Sequence, residues 1–141
     1  MKYIREAYKQ ALKAYDMDEV PVGAIIVKDG KVIARAYNKK ECNNDPLGHC
    51  ELLVIRKACK KLQTWRLSGC DMYVTLEPCM MCVGGIIHSR IDNVYYGVRD
   101  PRFGATEMLE ERKFNHHPKF YCLEDGKCGE ILSRFFSNKR K

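Results

Sequence analysis

Two histidine-and-cysteine signals far apart in the chain must meet for either to make chemical sense. His49 and Glu51 stand two residues apart, and the run Pro78-Cys79-Met80-Met81-Cys82 follows later with its cysteines three apart. Residues three apart at the start of a helix share a face, so Cys79 and Cys82 can grip one ion. Pro78 suits a first helical turn, where a missing N–H costs nothing, and the positive end of the helix dipole favours the thiolates a metal needs. A fold that uses all three side chains must therefore bring the His49 segment to the start of the Cys79 helix.

On spacing alone the Cys-x-x-Cys pair could equally be a redox dithiol or half of a structural zinc site. His49 separates these readings. A redox pair needs no upstream His-x-Glu, and a structural zinc wants a fourth protein ligand that the sequence does not supply at familiar spacing. A lone His at a helix start is more often a cap, and Glu in a first turn more often compensates the dipole. Together, however, three ligands leave one coordination position for water, and Glu51 can stand beside it and carry protons. His-x-Glu with Pro-Cys-x-x-Cys is the pattern of zinc deaminases of nucleobases, which would convert adenine to hypoxanthine or cytosine to uracil with loss of ammonia.

The surrounding pattern alternates between periods. Ile4, Ala7, Tyr8, Ala11, Leu12 and Tyr15 recur at helical spacing. Runs 23–28 and 31–37 read as antiparallel strands joined by Asp29-Gly30, a strong hairpin turn. A helix is expected from about Gly48 to Leu62, a strand over 71–76, a helix from Pro78 to about His88 and a strand over 93–98. The least regular stretch, 99–118, holds a possible short helix over 107–112. A fifth strand over 119–123 and a closing helix from Cys128 to about Asn138 complete the chain. Strand–helix alternation of this kind implies parallel crossover units.

At 141 residues the chain reads as one domain, 1–141, long enough to bury about two-thirds of its unfolded surface. Eight cysteines in a chain whose first fifteen residues carry charges throughout are expected to be reduced, in a cytoplasmic protein with no membrane span. The net charge of +7 favours an anionic partner without naming one.

The chain resembles the bacterial tRNA-specific adenosine deaminases, within the cytidine deaminase-like superfamily, over nearly its whole length. The resemblance is carried by Glu19-Val-Pro-Val-Gly-Ala24, Asn38, Asp45-Pro46, His49-x-Glu51, Trp65-Arg66-Leu67 and Tyr73 through Cys82. It continues in Ile87-His88-Ser89-Arg90-Ile91, Gly97, Asp100, Asn115-His116 and Phe135-Phe136 before a basic tail. It implies a three-layer α/β/α fold around a five-stranded mixed sheet, and a homodimer with one zinc ion per subunit held by His49, Cys79 and Cys82. The reaction implied is adenosine to inosine at the wobble position (34) of a tRNA anticodon stem-loop, that of an arginine tRNA, with Glu51 catalytic. By the same resemblance Asn38, Val22 and Asp100 would meet the flipped nucleotide, and Arg134, Lys139 and Arg140 the anticodon stem. Read without it, Asn38 and Asp100 could be mere turn residues and the basic tail a solubilising one.

Three departures from the family pattern stand out: Leu47 before the metal histidine, Cys50 between His49 and Glu51, and Phe103 to Leu109 in the loop expected to face RNA. Cys50, one helical step from His49, should point about 100° away and pack in the core. The rival reading is a deaminase of a free nucleobase or nucleoside, such as guanine, cytosine or adenosine. A module that uses zinc only to hold a nucleic-acid-binding fold together would leave Glu51 without a purpose.

Overall fold

The hairpin turn sets the first pairing. Asp29 and Gly30 both adopt left-handed backbone conformations, φ 51° and 76°, which match the right-handed twist of the flanking strands. Strand β1 (Gly23–Lys28) and strand β2 (Lys31–Tyr37) accordingly run antiparallel. The structure, a computed structural model, describes residues 2–111 and 114–139.

Helix α1 (Lys2–Asp16) precedes the hairpin. Helix α2 (Cys50–Leu62), strand β3 (Cys70–Leu76), helix α3 (Met80–Ser89) and strand β4 (Asn93–Val98) follow it. A short 3₁₀ turn over Thr106–Glu111 leads to strand β5 (Lys119–Cys122) and helix α4 (Gly126–Lys139). The five strands form one mixed sheet in the order β2-β1-β3-β4-β5. Strand β1 is antiparallel to β3, whereas β3, β4 and β5 are parallel, as crossover units require.

Alternation along the strands sorts the core into two sides. Met72 and Val74 of β3 join Ala24, Ile26, Val54, Ile86 and Val94 in the main cluster beneath α2 and α3. Tyr73, between them, faces a smaller cluster of Ile4, Ala7 and Cys128 beneath α1 and α4. Helices thus cover both faces, the three-layer arrangement expected. All eight cysteines are free thiols. Among the described residues no helix is long and apolar enough to cross a membrane.

Three helix starts differ from expectation, and the first two bear on chemistry. Helix α2 begins at Cys50 and not Gly48, because His49 is its extended N-cap residue (φ −74°, ψ 140°). Helix α3 begins at Met80 and not Pro78, because Cys79 is likewise extended (φ −78°, ψ 176°). Pro78 still belongs to the run leaving β3: its carbonyl accepts the Ala105 N–H at 2.9 Å, and Cys79 bridges Gly104. Helix α4 starts at Gly126, two residues early, where the Asp125 carboxylate accepts the Lys127 N–H at 3.0 Å. The short turn is 3₁₀ and starts at Thr106, and β5 stops at Cys122. Arg112, the expected end of that turn, lies outside the described residues.

Candidate active site

The carboxyl ends of the parallel strands β3 and β4 open at the same edge as the amino end of antiparallel β1. Open α/β sheets offer their ligand crevices at such an edge. A cavity of about 730 Å³ lies there, lined among others by Val22, Asn38, His49, Glu51, Cys79 and Asp100. Its size falls within the range of small-molecule sites, about 300–1,000 Å³.

His49 and Cys79 arrive as the N-caps of α2 and α3, and Cys82 stands in the first turn of α3. The imidazole Nδ1 of His49 lies 3.6 Å from Cys79 Sγ and 3.5 Å from Cys82 Sγ. A tetrahedral zinc with ordinary bond lengths needs about 3.6 Å between a sulfur and a nitrogen ligand. The three donors, all within 4.8 Å of one another, therefore suit a zinc ion. The hydrogen bond from the Cys82 thiol, aided by His49, pulls Cys79 down to about 4, and the same shared proton holds Cys82 well above its ordinary value. Contact with Cys79 raises His49.

Glu51 is 4% exposed yet lines the cavity. Burial raises its carboxyl above the usual range. Cys50 packs in the core as expected, but its thiol also donates to Glu51 Oε1 at 3.2 Å, a contact that helix geometry alone did not suggest.

Neither helix cap uses its own side chain. For α2 the duty falls to Asn38, whose Oδ1 accepts the Cys50 N–H at 2.8 Å. Since an N–H needs an acceptor, this bond fixes the amide orientation and leaves Nδ2 as the group Asn38 can offer to the cavity. Val22 is buried at the wall. Asp100 lines the cavity and also makes a turn, its Oδ1 accepting the N–H groups of Arg102 at 3.1 Å and Phe103 at 3.2 Å.

The predicted tail residues are not part of this cluster. Arg134 and Lys139 lie exposed on α4 and do not line the cavity, and Lys139 Nζ pairs with Asp18 at 2.6 Å. Arg140 lies outside the described residues. Helix α4 instead reaches the cavity through Gly129, Leu132 and Phe136.

Two buried carboxylates that sequence reasoning missed hold the cavity's loops. Glu19, 1% exposed, accepts the N–H groups of Glu41 at 3.0 Å and Cys42 at 2.6 Å. Glu77 accepts the Asp100 N–H at 3.1 Å on Oε1, and the Thr106 N–H at 3.3 Å and hydroxyl at 2.6 Å on Oε2. Gly104 is required beside it, because a Cβ there would collide with the Glu77 carboxyl. Neither bond leaves a periodicity or spacing signal. For Glu77 the one available hint was a charged residue directly after an apolar strand.

Comparison with known proteins extends the likeness well beyond the cavity. The family described as MafB19-like deaminase matches residues 1–140. The tRNA-specific adenosine deaminase of Bacillus subtilis (strain 168) is 46% identical over 145 aligned residues, covering 99% of this chain and 89% of that protein. A solved structure from a study of A-to-I editing by tRNA:A34 deaminases at the wobble position of transfer RNA superposes with a TM-score of 0.89 at 43% identity, covering 93% of this chain and 99% of the other. The X-ray structure of guanine deaminase from Bacillus subtilis is further away, with a TM-score of 0.68 at 31% identity over 99% of this chain and 93% of the other. Likeness of that extent, held through the helices and the sheet as well as the motif, makes this chain a member of the tRNA-specific adenosine deaminase family.

Proposed function

We propose that this protein deaminates adenosine to inosine at wobble position 34 of a tRNA anticodon stem-loop, consuming water and releasing ammonia. What supports the chemistry most is that Glu51 is buried yet lines the same cavity as His49 and Cys79. What supports the substrate is 46% identity to a tRNA-specific adenosine deaminase over 99% of the chain.

In this reading His49, Cys79 and Cys82 hold one zinc ion per subunit. Zinc with three protein ligands supplies Lewis acidity that brings the pKa of water to about 7. Glu51 does the proton work: it takes a proton from the attacking water and delivers it to the purine ring nitrogen beside the amine-bearing carbon, then takes the second proton from the added hydroxyl and delivers it to the amine, which leaves as ammonia. A carboxyl raised by burial is suited to both directions of that transfer. Asn38 Nδ2 donates to the nucleoside, Val22 packs against the base, and Asp100 meets the backbone beside the target.

The finer features of the reading are an arginine tRNA, a cytoplasmic location and a homodimer. The face between α2 and α3 suits the dimer, since Trp65 is exposed there beside Ile55 and Cys59. Light scattering on the purified protein tests that state. The guanine deaminase likeness supports a second reading, turnover of a free base.

One experiment separates the two readings. Ammonia release by zinc-loaded protein is measured on an anticodon stem-loop with wobble adenosine and on free adenosine, adenine, cytosine, cytidine and guanine. Inosine formed only in the stem-loop is the expected result, and turnover of a free base alone overturns the RNA reading.

A further inference from the structure

Phe103 stands 65% exposed on the rim of the cavity, in a loop that is tied down on both sides of it. Before it, the Asp100 N–H is held by Glu77 Oε1, and Asp100 Oδ1 in turn accepts the Arg102 and Phe103 N–H groups. After it, Gly104 pairs with Cys79 and Thr106 makes two bonds to Glu77 Oε2. The ring is thus presented from a rigid base, so a ligand that packs on it does not have to order the loop first. The Arg102 guanidinium lies 5.4 Å from the ring centroid. Lys40 and Arg99 add positive charge to the rim, against the carboxylates of Glu41 and Asp100 and with Glu107 3.8 Å from Arg99.

We propose that Phe103, backed by Arg102, is the stacking platform for the nucleobase next to the adenosine that enters the cavity. The inference rests on the RNA reading of that cavity. A nucleotide drawn out of its stack leaves its neighbour with a bare face, and a fixed aromatic ring beside the cavity mouth replaces the lost partner. The adjoining guanidinium suits the phosphate that links the two nucleotides. A ring accepts any base, so the platform would add affinity and hold the strand in register without itself reading sequence.

The test is a cycle of one substitution and one substrate change. Stem-loops carry an abasic residue on the 5′ or the 3′ side of the target adenosine, and KM is compared between the native protein and Phe103→Ala. Phe103→Ala alone is expected to raise KM about tenfold, and so is removal of the stacked base alone. The two together should do no more than either one, because they remove the same contact. Phe103→Tyr should restore KM, whereas Phe103→Leu, apolar but not aromatic, should not. Because Phe103 is exposed, an unchanged melting temperature is expected for each variant. Stem-loop turnover whose KM ignores Phe103, or effects that multiply at both flanking positions, overturns the platform and leaves the tRNA reading standing. Turnover of a free base without the stem-loop overturns both.

Discussion

Asn38 caps the helix that begins with Cys50, its Oδ1 accepting the Cys50 N–H at 2.8 Å, and so leaves the preceding His49 side chain free to turn toward the cysteines. The cap and the proposed substrate contact use opposite ends of one amide, which makes them separable. Asn38→Asp keeps an acceptor for the helix but loses the Nδ2 donor, and should retain its melting temperature while KM rises. Asn38→Ala loses both and should also give up about 1 kcal/mol of stability. Equal KM for the native protein and Asn38→Asp would remove the substrate role.

The metal and proton roles should part in the same way. His49→Ala and Cys79→Ala are expected to lose zinc and turnover together. Glu51→Gln should keep full zinc content and the native fold while turnover falls by about 10²–10⁴-fold. Elemental analysis of each purified variant alongside ammonia release decides it, and full zinc in a folded His49→Ala protein would refute the ligand assignment.

Glu77 touches no substrate in the proposed reaction, yet three donors converge on its carboxylate. Glu77→Ala strands those donors and should cost about 1–3 kcal/mol in a denaturant titration. The same variant should raise KM for the stem-loop more than it lowers kcat, since the loop carrying Asp100 and Phe103 loses its anchor. A loss of stability with KM untouched would make Glu77 purely structural.

Cys128 supplies a pH test away from the cavity. Burial, with Asp125 nearby, pushes its thiol up to about 12 from an ordinary value of 9.0. A raised thiol pKa stabilises the fold below the unfolded value and withdraws that stability as pH rises toward the folded one. Denaturation midpoints should therefore fall between about pH 9 and about pH 12, and fall less steeply in Cys128→Ala. Parallel curves for the two proteins would show that another group governs the alkaline loss.

Salt dependence tests the basic helix. If Arg134 and Lys139 meet phosphates, Arg134→Gln and Lys139→Gln should each flatten the slope of log affinity against log salt by about 0.7–0.9. The Lys139 pair with Asp18 is exposed on both sides, so losing it should barely change stability. An unchanged slope would make the helix a bystander.

Much of the architecture was legible because it is local. Asp29-Gly30 specifies its turn through two left-handed residues, and helical or alternating spacing marked all four helices and all five strands to within about two residues. The motif was legible for the same reason, since a three-residue interval keeps Cys79, at the cap, close to Cys82 in the first turn. Helix starts were less so, because Pro78 permits a first turn without compelling one, and the bridge between Cys79 and Gly104 holds that segment extended.

By itself the sequence singled out His49, Cys79 and Cys82 as a set that the fold brings together, proposed Glu51 beside them, and marked which segments are strands or helices. Only the tertiary structure decided that Asn38 serves the α2 helix, that Glu19 and Glu77 gather the loops around the cavity, and that Phe103 stands exposed at its rim. The reason is physical. Turn chemistry and periodic burial act between near neighbours and so leave a pattern in the chain, whereas a buried carboxylate finds its N–H partners 22 to 29 residues away, where only the packed sheet brings them within reach.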